Sequence, residues 1–256
     1  MIWAEPPRVV DVEECYFYHT MDIPDHGLVH GEWDLRGREA AYLGHVPLAG
    51  KRVLEVGTAS GHLCFAMERM GASVVAYDLS PEHDWDIVPY AGADVERHRA
   101  ERKAHIATIN NAYWFAHRAF RSAARVSYGT VYEIPPDIGQ FDVATLGSVL
   151  LHLRDPFLAL QRVAQHVQEA VVVTDVWGRR GRASSVVGRL TGGPVAAFVP
   201  SAARRGPFDS WWRLPPAVVA EFLKILGFPR VAVTYGRFLY GQRETTLYTV
   251  VGQRAP

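Results

Sequence analysis

The chain has 256 residues, 48% of them hydrophobic and 21% charged, so it is long enough to bury one sizeable core. Its 27 basic side chains balance 27 acidic ones, which gives no reason to expect a nucleic acid or an anionic membrane as partner. Two cysteines exclude a disulfide framework, and no apolar run reaches the roughly 20 residues of a membrane span. The low cysteine content predicts a reduced, cytoplasmic setting, and the N-terminus lacks the features of a signal peptide.

Four regions of different composition follow one another, and we expect them to form a single domain over residues 1–256. Residues 1–45 are rich in aromatic side chains and histidine and are predicted to form an N-terminal lid. Residues 46–177 alternate short apolar runs with helical stretches and are predicted to form a ligand-binding core. Residues 178–213 are rich in Arg, Gly, Ser and Pro and predict an insertion, whereas residues 214–256 return to helix and strand patterns.

The core region begins with two strands joined by a helix. Residues 52–56 are a short β-branched run that ends at Gly57, which is typical of a buried strand. Residues 61–70 carry apolar side chains at helical spacing, and residues 73–77 predict a second strand that ends at Asp78.

The same alternation continues to the end of the chain. Helices are predicted at residues 96–120, from Asp155 onward and at 215–226, and strands at 124–128, 141–146, 170–174, 231–234 and 246–251. Near-continuously apolar strands that alternate with helices predict a doubly wound α/β fold with a mainly parallel, seven-stranded sheet. Ligands of such sheets bind at the carboxyl ends of the strands.

The loop after the first strand has the features of a ligand site. Gly57 allows a tight turn there, and Gly61 opens the following helix, whose free N–H groups face the loop. Asp78 ends the next strand, where a carboxylate can accept hydrogen bonds from ribose hydroxyls. Glu55 on the first strand would repel a diphosphate, so the pattern favours a positively charged ligand that carries a ribose.

Three segments together resemble the motifs of class I S-adenosylmethionine-dependent methyltransferases: residues 53–61, residues 77–81, and residues 141–143 followed by 147–156. The resemblance implies a Rossmann-like methyltransferase fold, S-adenosylmethionine as cofactor, and activity as a methyltransferase. It also implies a cofactor site formed by Glu55, Gly57, Thr58, Gly61, Asp78, Leu79, Val131, Tyr132 and Gly147. The usual acid after the third strand is missing, and Tyr132 there would contribute either stacking or only its backbone N–H.

Residues 17–22, 31–34 and 211–215 resemble a subgroup related to the tRNA wobble-uridine carboxymethyl-transferring enzyme. That subgroup includes small-molecule and sugar methyltransferases, and the balanced charge here argues against a large RNA substrate. We therefore expect an acceptor that is a small biosynthetic metabolite, methylated on oxygen or nitrogen. A tRNA-modifying or sugar methyltransferase, a non-catalytic binding module and a homodimer remain open.

Two histidines are candidate catalytic bases because imidazole exchanges protons near neutral pH. His152 follows the fourth strand, and His19 lies in the predicted lid; His152 packed under the cofactor is the alternative. Candidate substrate contacts are Tyr16, Tyr18, Asp22, Trp33, Asn111, Trp114 and Trp211. We expect no metal. The arginine-rich stretch within 178–205 is interpreted either as a solvated loop or as a site for an anionic acceptor.

Overall fold

The computed structural model describes residues 2–6, 8, 10–177 and 192–255. Its strands are β1 (Met21–Ile23), β2 (Gly27–Val29), β3 (Trp33–Asp34), β4 (Arg52–Val56), β5 (Ser73–Asp78), β6 (Arg125–Tyr128), β7 (Phe141–Gly147), β8 (Val167–Val176), β9 (Ala197–Phe198), β10 (Trp212–Arg213), β11 (Arg230–Tyr240) and β12 (Arg243–Gln253). Its α-helices are α1 (Glu39–Tyr42), α2 (His62–Arg69), α3 (Val95–Ala119), α4 (Pro156–Ala164) and α5 (Pro216–Ile225). No helix of the described ranges is both long enough and apolar enough to cross a membrane.

One large sheet organises the molecule, with strand order β3-β11-β12-β8-β7-β4-β5-β6. The strands from β8 to β6 are parallel neighbours, and β12 runs antiparallel between β8 and β11. The predicted doubly wound α/β fold is therefore confirmed. The sheet has eight strands rather than seven, because the two-residue strand β3 pairs with Leu239 and Tyr240 at the end of β11.

The two C-terminal strands are longer than predicted. β11 extends from Arg230 to Tyr240 instead of covering residues 231–234, and it pairs with β12 along its whole length. Most of its side chains are exposed on both faces of the sheet. The sequence of β11 therefore has only the short apolar runs 231–233 and 238–240, and the pattern did not reveal its full length.

The parallel strands separate two hydrophobic cores, since successive side chains of a strand point to opposite faces. Val53 of β4 packs with Phe65 of α2 on one face, whereas Leu54 packs with Leu160 of α4 and Leu223 of α5 on the other. Both faces are covered, which explains why the strands read as continuously apolar.

The start of α4 follows the predicted local signals. The Asp155 carboxylate accepts a hydrogen bond from the N–H of Leu158 (2.9 Å), and Pro156 occupies the first helical position. An acceptor side chain at the N-cap and a proline that lacks an N–H together satisfy the first turn.

The fold opens a cleft at the carboxyl ends of the parallel strands. β4 lies between β5 and β7. The chain therefore leaves β4 towards the β6 edge of the sheet, and later returns to form β7 on the other side of β4. This change of direction is the topological switch point of a doubly wound sheet. The N-terminal segment runs from β6, where the N–H of Ala4 donates to Val126, to β3 at the opposite edge.

Candidate active site

The cleft has a volume of about 580 Å³ and is lined by the segments that follow β4, β5, β6 and β7. A cleft of this size at the switch point of the sheet is the expected place for a ligand. The predicted site residues that line it are Tyr18, Gly57, Asp78, Leu79, Val131, Tyr132, Gly147 and His152.

The glycine loop has a backbone that requires its two glycines. Gly57 has φ +78°, and a Cβ atom there would lie 2.5 Å from the Val149 side chain. Gly61 has φ +89°, and a Cβ atom would lie 2.6 Å from the Phe65 ring. Side chains are disfavoured at such φ values and have no room here, so the loop keeps its path only with glycine.

Asp78 is positioned by the same loop. Its two carboxylate oxygens accept hydrogen bonds from the N–H groups of Ala59 and Leu79, each at 2.7 Å. Burial raises the pKa of Asp78 to about 6, although these two hydrogen bonds oppose the shift. Each oxygen keeps a second lone pair, so the carboxylate can still accept hydrogen bonds from a ligand in the cleft.

Three of the predicted cofactor residues lie beneath the cleft wall and support it. Glu55 is 3% exposed, and its carboxyl accepts a hydrogen bond from the Thr58 hydroxyl (2.6 Å). Burial raises the pKa of Glu55 to about 8; the Thr58 bond opposes this shift and Asp78 adds to it. Thr58 is buried as well, and Gly61 packs against Phe65 and Tyr113. These residues shape the loop from behind.

His152 lines the cleft and has one ring nitrogen fixed. Its Nδ1 is hydrogen-bonded to the backbone carbonyl of Asp209, and a carbonyl can only accept, so the proton of the neutral ring is on Nδ1. Nε2 then carries a lone pair and has no hydrogen-bond partner in the described part of the chain. Burial lowers the pKa of His152, while the Asp209 carbonyl opposes that shift. The arrangement suits a proton acceptor.

His19 lies behind the cleft. It is 6% exposed, and its backbone N–H donates to the Ser60 hydroxyl (3.2 Å). It lines an adjoining cavity of about 30 Å³ together with Glu55, and this cavity shares Tyr18 and Gly57 with the cleft. Burial, with a smaller contribution from His62, lowers the pKa of His19 to about 3. A cavity of that volume has room for one or two water molecules only. His19 is thus a neutral imidazole behind the loop.

The structure places four predicted substrate residues outside the cleft, and each makes a contact within the protein. Asp22 is exposed and pairs with Arg36 (2.9 Å), and Trp33 packs against the Tyr240 ring. The other two lie on α3. Asn111 donates to the backbone carbonyl of Glu14 (3.1 Å), and the Trp114 indole donates to the Tyr128 hydroxyl (2.9 Å).

Two aromatic candidates lie next to the cleft without lining it. The Tyr16 hydroxyl donates to the carboxylate of Glu32, which does line the cleft. The Trp211 indole donates to the backbone carbonyl of Asp86 (2.7 Å), another lining residue. Both rings support residues of the wall.

Sequence reasoning missed several residues of the cleft, among them Glu32, Asp84, Trp85, Asp86, Arg102, His105, Asp209 and Tyr240. Asn110, the neighbour of the predicted residue Asn111, also lines the cleft. A helical step of one residue turns a side chain by about 100°, so adjacent positions face different surroundings. Arg102 and His105 also lie on α3, and Tyr240 ends β11, whereas the remaining missed residues come from loops.

The arginine-rich stretch is described only in part. Arg179, Arg180, Arg182 and Arg189 lie outside the described residues. Arg204 and Arg205 are exposed in a turn and do not line the cleft. Later residues of the predicted insertion do reach it: Asp209 and Ser210 line the cleft wall.

Comparison with known proteins identifies the class of this protein. A family model described as a methyltransferase domain matches residues 34–216, which is more than half of the chain. The chain therefore belongs to this methyltransferase-domain family, and the prediction of a methyltransferase is confirmed. No curated protein matches the sequence.

Two solved structures show the same fold. Magnesium protoporphyrin IX methyltransferase from Synechocystis PCC 6803, with bound S-adenosylhomocysteine, is 14% identical over 85% of this chain and 80% of its own, with a TM-score of 0.51. The 1,6-didemethyltoxoflavin-N1-methyltransferase from Burkholderia thailandensis, with bound 1,6-didemethyltoxoflavin and S-adenosylhomocysteine, is 15% identical over 87% of this chain and 78% of its own, with a TM-score of 0.53. At these identities the likeness concerns the fold.

Proposed function

We propose that this chain is an S-adenosylmethionine-dependent methyltransferase that methylates an oxygen or nitrogen atom of a small biosynthetic metabolite. The observation that carries the proposal is that one cleft holds two complementary sets of groups. The glycine loop and the Asp78 carboxylate suit a ligand with a ribose. Glu55 does not line the cleft and its pKa is raised to about 8, so it does not supply the negative charge that the sequence predicted. His152, with its unshared Nε2 lone pair, suits the deprotonation of an acceptor.

The residues present fit the proposed cofactor. The second lone pairs of Asp78 would accept hydrogen bonds from the ribose hydroxyls. Gly57 and Gly147 line the wall where the methionine part would lie, and Val131 and Tyr132 line the adenine side. The Tyr132 hydroxyl is already bonded to the Asp86 carboxylate, which leaves its ring and backbone for contact.

When bound, S-adenosylmethionine supplies a methyl group on a sulfonium, which is already a good leaving group. The protein has to orient the acceptor in line with that methyl and exclude water, and orientation supplies roughly 7–11 kcal/mol. His152 would take the acceptor proton at Nε2, and the Asp209 carbonyl would stabilise the resulting positive ring through Nδ1–H. A positioned base contributes about 10²–10⁴-fold in rate.

The size and composition of the cleft favour a small acceptor. Its volume of about 580 Å³ has to hold the cofactor and the acceptor together, and pockets for small ligands range over roughly 300–1,000 Å³. The N-terminal segment closes one side through Tyr18 and Glu32. The narrower resemblance to the tRNA wobble-uridine subgroup and a cytoplasmic location stay predictions.

Calorimetric titration with S-adenosylhomocysteine tests the cofactor site. We expect wild type to bind it and Gly57→Arg to lose binding, because the arginine side chain would fill the loop mouth. Gly37→Arg is a matched control: Gly37 also has a positive φ (+70°), but nothing lies within 4 Å of a Cβ there. Unchanged affinity in Gly57→Arg would refute the site.

A transfer assay tests the reaction itself. Methyl-labelled S-adenosylmethionine is incubated with the chain and a metabolite extract, and labelled products are identified by mass spectrometry. We expect label in a small molecule rather than in RNA. Label confined to RNA would contradict the proposed acceptor class, and no transfer despite cofactor binding would favour a non-catalytic binding module.

A further inference from the structure

Glu32 is held by hydrogen bonds at the wall of the cleft. Its two carboxylate oxygens accept hydrogen bonds from different tyrosine hydroxyls, Tyr16 on Oε1 and Tyr240 on Oε2 (2.9 Å). Its backbone carbonyl accepts a further bond from Gly241 (2.6 Å). The carboxylate therefore has one orientation and keeps a free lone pair on each oxygen.

No cation pairs with Glu32 among the residues that the structure describes. Two other carboxylates of the same wall have cation partners: Asp209 pairs with Arg102, and Asp84 pairs with Lys103 at 2.9 Å. Asp78 and Asp86 also line the cleft and accept hydrogen bonds from uncharged donors only, but neither has tyrosine hydroxyls on both oxygens as Glu32 has. Burial and Arg102 lower the pKa of the nearby His105, and Glu32 opposes that shift. Glu32 thus leaves an uncompensated negative charge at the edge of the cleft.

The surroundings of this charge are aromatic. Tyr18 and Tyr240 line the cleft beside it, and Tyr16 packs against the His105 ring with centroids 4.6 Å apart. The hydrogen bond to Glu32 is the main cause that raises the pKa of Tyr16 to about 12, and burial raises that of Tyr18 to about 12. Both rings stay neutral. A carboxylate among neutral aromatic rings attracts cations, because the ring faces are also electron-rich.

We propose that Glu32 selects an acceptor that carries a protonated amine, with the ammonium group against the Glu32 carboxylate and the rings of Tyr18 and Tyr240. This inference rests on the proposed function and narrows its substrate class. The ammonium group serves as the anchor rather than as the nucleophile, because a protonated amine has no lone pair with which to attack. An oxygen or nitrogen atom of the acceptor other than the ammonium nitrogen then receives the methyl group.

The test uses three probes that share one indole skeleton and differ in charge: tryptamine, tryptophol and indole-3-propionate. Each is titrated by protein-observed NMR into the chain saturated with S-adenosylhomocysteine. We expect tryptamine to bind at least about tenfold more tightly than the other two, because only it makes a charge-assisted contact. This preference should disappear in Glu32→Gln and persist in Glu221→Gln, a control at a solvent-exposed carboxylate of α5.

The outcomes separate this inference from the proposed function. S-adenosylhomocysteine affinity should be unchanged in Glu32→Gln, which also shows that the variant is folded. Tyr240→Phe should keep the preference, since it retains the carboxylate. Tighter binding of indole-3-propionate, equal binding of all three probes, or a preference that survives Glu32→Gln would overturn the role of Glu32. If the wild-type chain does not bind S-adenosylhomocysteine at all, the proposed function is overturned instead.

Discussion

Replacement of Glu55 by Gln should make the protein more resistant to alkaline destabilisation. Glu55 is fully enclosed beneath the glycine loop, has the Thr58 hydroxyl as its hydrogen-bond partner, and has no cation beside it in the described chain. Its charged form is therefore disfavoured in the fold, and burial raises its pKa to about 8 from an ordinary value of 4.5. Glutamine has the shape of the neutral carboxyl and cannot ionise, and its oxygen can still accept from Thr58.

The size of the effect follows from the linkage between protonation and folding. Between pH 4.5 and about 8 the folded chain keeps a proton on Glu55 that the unfolded chain releases, so the free energy of unfolding falls as pH rises. Each unit of pKa difference corresponds to about 1.4 kcal/mol, which gives roughly 3 kcal/mol by pH 7 and roughly 5 kcal/mol above pH 8. Below pH 4.5 this penalty is absent.

Urea unfolding of wild type and Glu55→Gln at pH 5, 6, 7 and 8 measures this effect. Asp175 also has a raised pKa, about 7, and it affects both proteins alike. Asp78, with a pKa of about 6, contributes to the raised pKa of Glu55, so the difference between the two unfolding free energies reports Glu55 together with its coupling to Asp78. Relative to wild type, the free energy of unfolding of Glu55→Gln should increase by about 1.4 kcal/mol for each unit of pH. A difference that stays constant from pH 5 to pH 8 would refute this account of Glu55.

Three further predictions concern the cleft and its support. Asn110 lines the cleft and its Oδ1 has no partner in the described chain, so this oxygen can accept a hydrogen bond from a ligand; Asn110→Ala should weaken S-adenosylhomocysteine binding in calorimetry by about fivefold. Asn111→Ala loses the hydrogen bond to Glu14 and should lower the free energy of unfolding by about 1 kcal/mol, with the same affinity as wild type. Gly61→Ala should lower the free energy of unfolding in urea by roughly 1–3 kcal/mol, because an alanine is strained at this positive φ and its Cβ would overlap the Phe65 ring. His152→Gln should reduce methyl transfer by about 10²–10⁴-fold with little change in S-adenosylhomocysteine affinity; undiminished transfer would exclude His152 as the base.

The arrangement of the cleft explains why the N-terminal segment belongs to the site. Glu32 and Tyr240 are 208 positions apart, yet their side chains are hydrogen-bonded and both line the cleft. The pairing of β3 with the end of β11 brings them together. An enzyme that lacked either segment would lose one wall of the proposed acceptor site.

The sequence by itself determined the elements whose signals are local. The strand β4, the loop with Gly57 and Asp78 at the end of β5 were predicted because apolar runs, glycines and strand-terminal acids act over a few residues. Parallel strands then place their carboxyl ends at one edge, so the half of the cleft that we propose for the cofactor followed from chain order.

Only the tertiary structure decided which side chains face the cleft. It turned Asn110 inward and Asn111 towards Glu14, enclosed His19 behind the loop, and brought Glu32 beside Tyr240. These outcomes depend on helix rotation and on contacts between segments far apart in the chain. Because such contacts are set by packing of the whole fold, a local sequence pattern does not predict them.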